Sequence, residues 1–261
     1  MKPTHTLRAR RFEAGSVRET EECVADEVAV ALIYNGVSHA VMMASPQDLE
    51  DFALGFSLTE GIIDAAHELS DIEISETAQG ICLDLQITER RMQALRERRR
   101  ALTGRTGCGL CGAESLDQAI RPIAQVSRSV TLRAADIQQG FAAMQAQQAL
   151  NHATGAVHAA ALWQDGALLL REDIGRHNAL DKLVGAMQRG DWSRSVLLLT
   201  SRASYEMLHK AASANIPLVA AISAPSAKAV ALAQDAGITL IGFARGAAMT
   251  IYHAGAGQVS A

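Results

Sequence analysis

The sequence predicts an α/β protein in which a smaller α+β domain precedes a C-terminal domain built on a parallel sheet, and three observations lead there. Beyond residue 173, helical and strand-like segments alternate up to Phe243, the rhythm of crossover units on a sheet covered on both faces. Before residue 88 the pattern differs, with two apolar runs joined by a tight turn, then one helix and two further strands. With 49% hydrophobic and 20% charged residues in 261, the chain can fill one large core or two modest ones without disulfides or structural metals.

After a segment read as a polar N-terminal tail, Val28–Tyr34 and Val37–Ala44 form two apolar runs. They are joined by Asn35-Gly36, which tolerates the two positive φ values of a type I′ turn, so a hairpin is expected. Ser45-Pro-Gln-Asp48 follows, and reads as a hydroxyl N-cap, a proline at the first helical position and a carboxylate at the third. Leu49, Phe52, Ala53 and Phe56 then recur at helical spacing, and the helix is expected to stop at Gly61. Residues 72–75 and 80–87 read as strands, and residues 89–101 as a basic helix leading to a glycine-rich loop over 103–112.

Residues 136–151 form an amphipathic pattern with Ile137, Phe141 and Met144 on one side, and a second hairpin is expected around Asp165-Gly166. Then come helix 173–187, strand 195–200, helix 204–214, strand 217–223, helix 226–236 and strand 238–243. Loops at the C-terminal ends of such strands are the usual seat of ligands.

Composition removes several classes of function. Nine charged residues among the first 25, with no long apolar block, argue against a secretory signal. No stretch reaches the roughly 18 uninterrupted apolar residues of a membrane span, so a cytoplasmic protein without membrane partners is expected. A formal charge of -4 gives no reason to expect a nucleic-acid partner. Arginines do concentrate at positions 90, 91, 96, 98, 99, 100 and 105, either as a solvated helix face or as a field favouring a nearby thiolate.

That thiolate belongs to Thr106-Gly-Cys-Gly-Leu-Cys-Gly112, where Cys108 and Cys111 form the one close cysteine pair among four. Cys23 and Cys82 read as passive, Cys82 as a small buried hydrophobe in a strand. A C-x-x-C pair serves dithiol exchange, half of a tetrahedral zinc site, or carriage of sulfur as a persulfide, and spacing alone does not choose. Zinc is weakened because no second ligand pair follows, and no metal site is assigned. Thioredoxin-like chemistry is weakened because the pair follows a basic segment mid-chain and not an early strand. Glycine flanks and nearby arginines suit an accessible thiolate that passes sulfur between partners.

Other segments offer polar groups at strand ends. His158, in Thr154-Gly-Ala-Val-His-Ala-Ala-Ala-Leu162, lacks the glutamate and P-C-x-x-C of a zinc deaminase and reads as a packed core histidine. Glu172-Asp-Ile-Gly-Arg-His-Asn178, Thr200-Ser-Arg202 and Ser223-Ala-Pro-Ser226 either hold a polar ligand or cap helices through Asp173, Ser204 and Ser226. Phe243-Ala-Arg-Gly-Ala-Ala248 combines an aromatic face, a guanidinium and a small-residue turn, able to stack on a purine and approach its phosphates. No Walker or G-x-G-x-x-G pattern is present, which leaves nucleotide hydrolysis and dinucleotide redox chemistry unsupported.

In order and spacing, Ser45-Pro-Gln-Asp-Leu-Glu-Asp-Phe-Ala-Leu-Gly-Phe56, the C-x-x-C segment, Thr154 to Leu162, Asp173-Ile-Gly-Arg-His-Asn-Ala-Leu-Asp-Lys182, Thr200-Ser-Arg202 and Ile241-Gly-Phe-Ala-Arg-Gly246 resemble the FdhD family, sulfur carrier proteins needed for formate dehydrogenase activity. The resemblance spans roughly residues 20–253. The chain is read as an N-terminal α+β domain over 1–102, a cysteine-bearing loop and linker over 103–133, and an α/β domain over 134–261, and for the last the resemblance implies a three-layer, cytidine deaminase-like fold without deaminase chemistry. It implies a homodimer and a sulfurtransferase that takes persulfide sulfur from a cysteine desulfurase to the molybdenum bis(molybdopterin guanine dinucleotide) cofactor, bound as substrate, for formate dehydrogenase. By the same resemblance Cys108 bears the persulfide, Cys111 is its partner, and Phe243, Ala244, Arg245, Gly246, Ala247 and Ala248 bind the cofactor. The competing readings are a cofactor-binding chaperone without sulfur transfer and a zinc-binding structural protein.

Overall fold

The computed structural model describes residues 1–103 and 123–261. The segment read as a tail is a β-hairpin, β1 (Thr4–Glu13) and β2 (Ser16–Ala25), turning at Ala14-Gly15 with both residues at positive φ. It escapes a search for amphipathic alternation because neither face is buried: Arg10 pairs with Glu19, Arg8 with Glu21, and Phe12 with Val17 across an exposed ribbon.

β3 (Val28–Tyr34) and β4 (Val37–Ala44) form the expected hairpin, with Asn35 at φ 45° and Gly36 at φ 77°. With β5 (Leu69–Glu76) and β6 (Ile81–Ile87) they make a four-stranded sheet of order β4-β3-β6-β5. Val30, Leu32, Tyr34, Leu83 and Leu85 point to one face, where α1 (Leu49–Thr59) supplies Phe52, Ala53 and Phe56. Cys82 alternates onto the other face and is half-buried, so it is not the core thiol its strand suggested. Ser45 does not cap α1 either. Asp48 holds the cap position in left-handed conformation, while Ser45 is buried in contact with the C-terminal half. Helix α2 (Glu89–Thr103) ties its first arginines to the turn just before β5, Arg90 and Arg91 both bonding Glu68.

The C-terminal sheet has the order β13-β12-β11-β10-β8-β9. Its strands are β8 (His158–Gln164), β9 (Ala167–Asp173), β10 (Val196–Leu199), β11 (Leu218–Ala221), β12 (Thr239–Arg245) and β13 (Ala248–His253). β10, β11 and β12 pair parallel, whereas β8 pairs antiparallel with both β10 and β9, and β13 antiparallel with β12, so the sheet is mixed and not wholly parallel. Hairpin turns at Asp165-Gly166 and after Arg245 explain this, because two-residue links join only antiparallel neighbours. Helices α5 (Arg176–Met187), α6 (Tyr205–Ser213) and α7 (Ala227–Ala236) cover one face over Leu162, Leu197, Leu199, Val219 and Leu240. On the other face, α3 (Ala134–Gln147) and the parallel pair β7 (Val130–Arg133) and β14 (Gly257–Ser260) pack over Ala161, Trp163, Leu198 and Ile241. Layers thus stack on both sides of the sheet.

The two halves meet where α1 crosses α5. A Cβ on Gly55 would lie 1.7 Å from the Asp181 carbonyl oxygen, and one on Gly185 2.0 Å from that of Asp51, so two glycines let the helix backbones touch. Polar groups lock this contact. Asp173, fully buried, pairs with Lys182 Nζ at 2.6 Å and accepts from the Ser45 backbone N–H at 3.0 Å. The Ser45 hydroxyl accepts from the Ile174 N–H, and its carbonyl from Lys182. Asp181 accepts from Thr59 Oγ1 at 2.6 Å and from Lys210 Nζ at 2.8 Å; burial still pushes its carboxyl up from the ordinary range. Among the described residues no helix is long and apolar enough to cross a membrane.

Candidate functional site

The amphipathic segment read as one helix over 136–151 is two. Ile137 and Met144 are buried as expected, but the chain breaks at Gln148 (φ -73°, ψ 74°) and restarts as α4 (Ala149–Thr154), which ends at Gly155 with φ 65°. The break has a cause in the neighbouring strand. Glu172, buried at the end of β9, accepts from the backbone N–H groups of Leu150 and Asn151, both at 2.9 Å, and so caps α4 from outside.

This break opens a cleft of about 540 Å3 between α3, α4 and the C-terminal edge of the sheet, a volume ordinary for a small-molecule site. Thr200 follows β10, Ile222 follows β11, and Ala244, Arg245 and Gly246 end β12, so three successive parallel strands deliver their ends to it. His158 enters from the start of β8, and Ala248 and Met249 from β13. Across from them stand four carboxamides, those of Gln138, Gln145, Gln148 and Asn151. Among the described residues no carboxylate lines the cleft, and Arg245 is the one lining residue with a permanent charge.

Several local devices set this geometry. Thr200 Oγ1 accepts from the Ala159 N–H at 2.8 Å and fastens the end of β10 to the start of β8. The ladder of β12 and β13 is irregular between Gly242 and Arg245, and Phe243 within it stands at φ 51°, an uncommon conformation for a bulky side chain. Gly242 is needed there, since a Cβ would come within 2.8 Å of Pro225 and 2.9 Å of the Tyr252 ring. Arg245 donates from Nε to the Ile222 carbonyl at 2.6 Å. Its guanidinium is thereby held beside the cleft with its remaining N–H groups on the other edges of the fork. Burial, and then the nearby Arg176, lower the pKa of His158, which favours the neutral imidazole at neutral pH.

Of the six residues singled out in 243–248, Ala244, Arg245, Gly246 and Ala248 line this cleft; Phe243 is exposed beside it and Ala247 sits in the adjoining turn. Cys108 and Cys111 lie outside the described residues, as does Arg105. The segment 172–178 divides. Glu172 serves the cleft wall, whereas Asp173 and Asn178 belong to the contact between halves, Asn178 donating to the Met43 carbonyl. Asp173 ends β9 and does not cap a helix, Ser204 occupies the cap of α6 without a side-chain bond, and Ser226 does cap α7, accepting from Ala229. The carboxamide wall escaped the sequence reading, although Gln138, Gln145 and Gln148 recur seven and three residues apart on one helical stripe. Cys23 and Cys82 are free and half-buried, and the described residues contain no cluster of three metal-ligating side chains.

Fold and cleft together define a two-part, mixed α/β protein with a polar cleft at the open strand edge. The sequence pattern of the FdhD/NarQ family matches residues 25–258, and the chain belongs to that family. It is 51% identical over 255 residues to the sulfur carrier protein FdhD of Cupriavidus necator, covering 96% of this chain and 88% of that one. It is 50% identical to the protein of that name from Xanthomonas euvesicatoria pv. vesicatoria, covering 93% of this chain and 88% of the other. Among solved structures, a candidate formate dehydrogenase accessory protein from Desulfotalea psychrophila superposes with a TM-score of 0.74 at 26% identity, covering 96% of this chain and 97% of its own.

Proposed function

We propose that this chain is a sulfur carrier for formate dehydrogenase maturation, a cytoplasmic homodimer that takes sulfane sulfur from a cysteine desulfurase and delivers it to the molybdenum bis(molybdopterin guanine dinucleotide) cofactor. The Cys108 thiolate attacks the outer sulfur of the desulfurase persulfide, the sulfur–sulfur bond breaks, and the desulfurase leaves as its thiolate. The sulfur–sulfur bond of the Cys108 persulfide then breaks as its outer sulfur passes to the cofactor, the substrate of this step, whose reduced state supplies the two electrons that take sulfane sulfur to sulfide, and Cys108 leaves as its thiolate. Cys111 is the resolving thiol: attack on the inner sulfur of a stalled persulfide gives a disulfide and releases hydrosulfide.

Family membership supports the sulfur chemistry, and the cleft is the observation that carries the cofactor reading. Its residues fit one guanine nucleotide. Carboxamides match the donors and acceptors of a base edge, Arg245 matches a phosphate, and among the described residues no carboxylate lines the cleft to oppose an anion. A volume of about 540 Å3 suits one nucleotide arm, and a homodimer supplies two clefts for the two guanines of the cofactor.

Calorimetric titration of the full chain with GDP tests this. Micromolar or tighter binding, weakened at least tenfold in Arg245→Ala and falling with added salt, is expected; no GDP binding by the wild-type chain would overturn the cleft assignment.

A further inference from the structure

Glu172 touches no part of the cleft surface, yet the cleft wall depends on it. Helix α4 has six residues, too few to hold itself in water, and it follows a break at Gln148 that leaves its direction unset by α3. Both oxygens of the buried Glu172 carboxylate accept from its first turn, Oε2 from Leu150 and Oε1 from Asn151. Glu172 is opposite Ala159 in the β8–β9 ladder, and Ala159 is the residue bonded to Thr200. The wall and the strand edge that faces it are therefore fixed to one frame.

We propose that Glu172 is a positioning residue for base recognition: its carboxylate sets α4 so that the carboxamides of Gln148 and Asn151 meet the base of a bound guanine nucleotide, while Arg245 takes the phosphates. The inference rests on the reading of the cleft as a guanine-nucleotide site. Guanine presents acceptors at O6 and N7 and donors at N1 and N2, and a carboxamide supplies both complements from one planar group. Adenine reverses the pattern on its pairing edge, so discrimination requires that the amides be held in register. A carboxamide that swings freely reads either base by turning over. The bidentate cap removes that freedom at the backbone from which Asn151 projects and next to Gln148.

Glu172→Gln keeps the shape of the side chain and turns one acceptor into a donor facing a backbone N–H. Binding of GDP and ADP is measured calorimetrically on full-length protein. The wild type is expected to prefer GDP. In Glu172→Gln, GDP is expected to weaken about tenfold and ADP less than about twofold, so that the preference collapses. In a Gln148→Ala/Asn151→Ala background the same change is expected to add less than about twofold, because Glu172 acts through those two residues. Leu232→Ala, in α7 on the opposite face of the sheet, serves as a destabilised control that keeps the preference. If Glu172→Gln fails to fold, Gln148→Ala, which leaves the cap untouched, is expected to lose the preference too. A GDP preference retained in Glu172→Gln, or equal weakening of both nucleotides, overturns the positioning role, as does a wild type that binds both equally well. A wild type that binds neither overturns the nucleotide reading of the cleft, and this inference with it.

Discussion

Replacing Gly55 by alanine tests the contact between the two halves through the sign of its effect. Gly55 lies inside α1, where alanine is the better helix former by about 1 kcal/mol, so propensity alone predicts stabilisation. The crossing predicts the opposite. The new Cβ would stand 1.7 Å from the Asp181 carbonyl oxygen and within 2.7 Å of the Gly185 nitrogen, both backbone atoms that no rotamer change can remove. The helices must part by roughly 1.3 Å to reach the 3.0 Å that real Cβ atoms respect. Parting them stretches the buried bonds from Thr59 and Glu60 to Lys210 and Asp181, now 2.6 to 3.0 Å long. Overpacking of this kind costs about 1–3 kcal/mol, and a weakened charged hydrogen bond about 1.5–3 kcal/mol more. After the propensity gain a net loss of about 3 kcal/mol is expected, or roughly 6–12 °C in thermal midpoint for a chain of this size. Differential scanning calorimetry measures it, with Gly185→Ala alongside. Because both substitutions wedge the same crossing, their double is expected to fall short of the sum. An unchanged or raised midpoint in Gly55→Ala would refute the close-packed crossing.

Other consequences concern charge and cleft shape. Lys182→Met leaves the Asp173 carboxylate buried without its cation and is expected to cost about 3–5 kcal/mol in denaturant unfolding, part of it recovered by adding Asp173→Asn. Burial, followed by Arg176, lowers the pKa of both His158 and His177, so the unfolded chain binds more protons in mild acid. Their contribution is complete above the ordinary histidine value and is lost as pH falls through the lowered ones. The midpoint should therefore drop between about pH 7.5 and 5.5, with a shallower slope in His177→Gln. Gly242→Ala, whose Cβ would press on Pro225 and the Tyr252 ring, should shift the irregular stretch that sets Arg245 and weaken GDP several-fold, with a smaller effect on stability than Gly55→Ala.

Much of this fold is visible in the residues themselves, because turns and caps are local. Asn35-Gly36, Asp165-Gly166 and the Ser226 cap each act within a few residues, and each appears where the sequence puts it. What escaped is set by partners far along the chain. Ser45 resembles an N-cap, but its hydroxyl is taken by a backbone N–H 129 residues away. The split of the 136–151 segment comes from Glu172, and no periodicity within the segment announces it. The N-terminal ribbon pairs charges on both faces and so offers no apolar alternation. In the candidate site, the strand-end segments 200–202 and 243–248 follow from the general rule for parallel sheets, whereas the facing carboxamides required knowing which side of α3 meets the strand ends.

Sulfur carriage itself is tested most directly by incubating the purified chain with a cysteine desulfurase and cysteine, then weighing the intact protein and mapping the modified peptide. One added sulfur atom on the peptide containing Cys108, removed by a thiol reductant and absent from Cys108→Ala, is the predicted result. A chain whose mass does not change under conditions that load the desulfurase, or sulfur that persists in Cys108→Ala, would contradict the account.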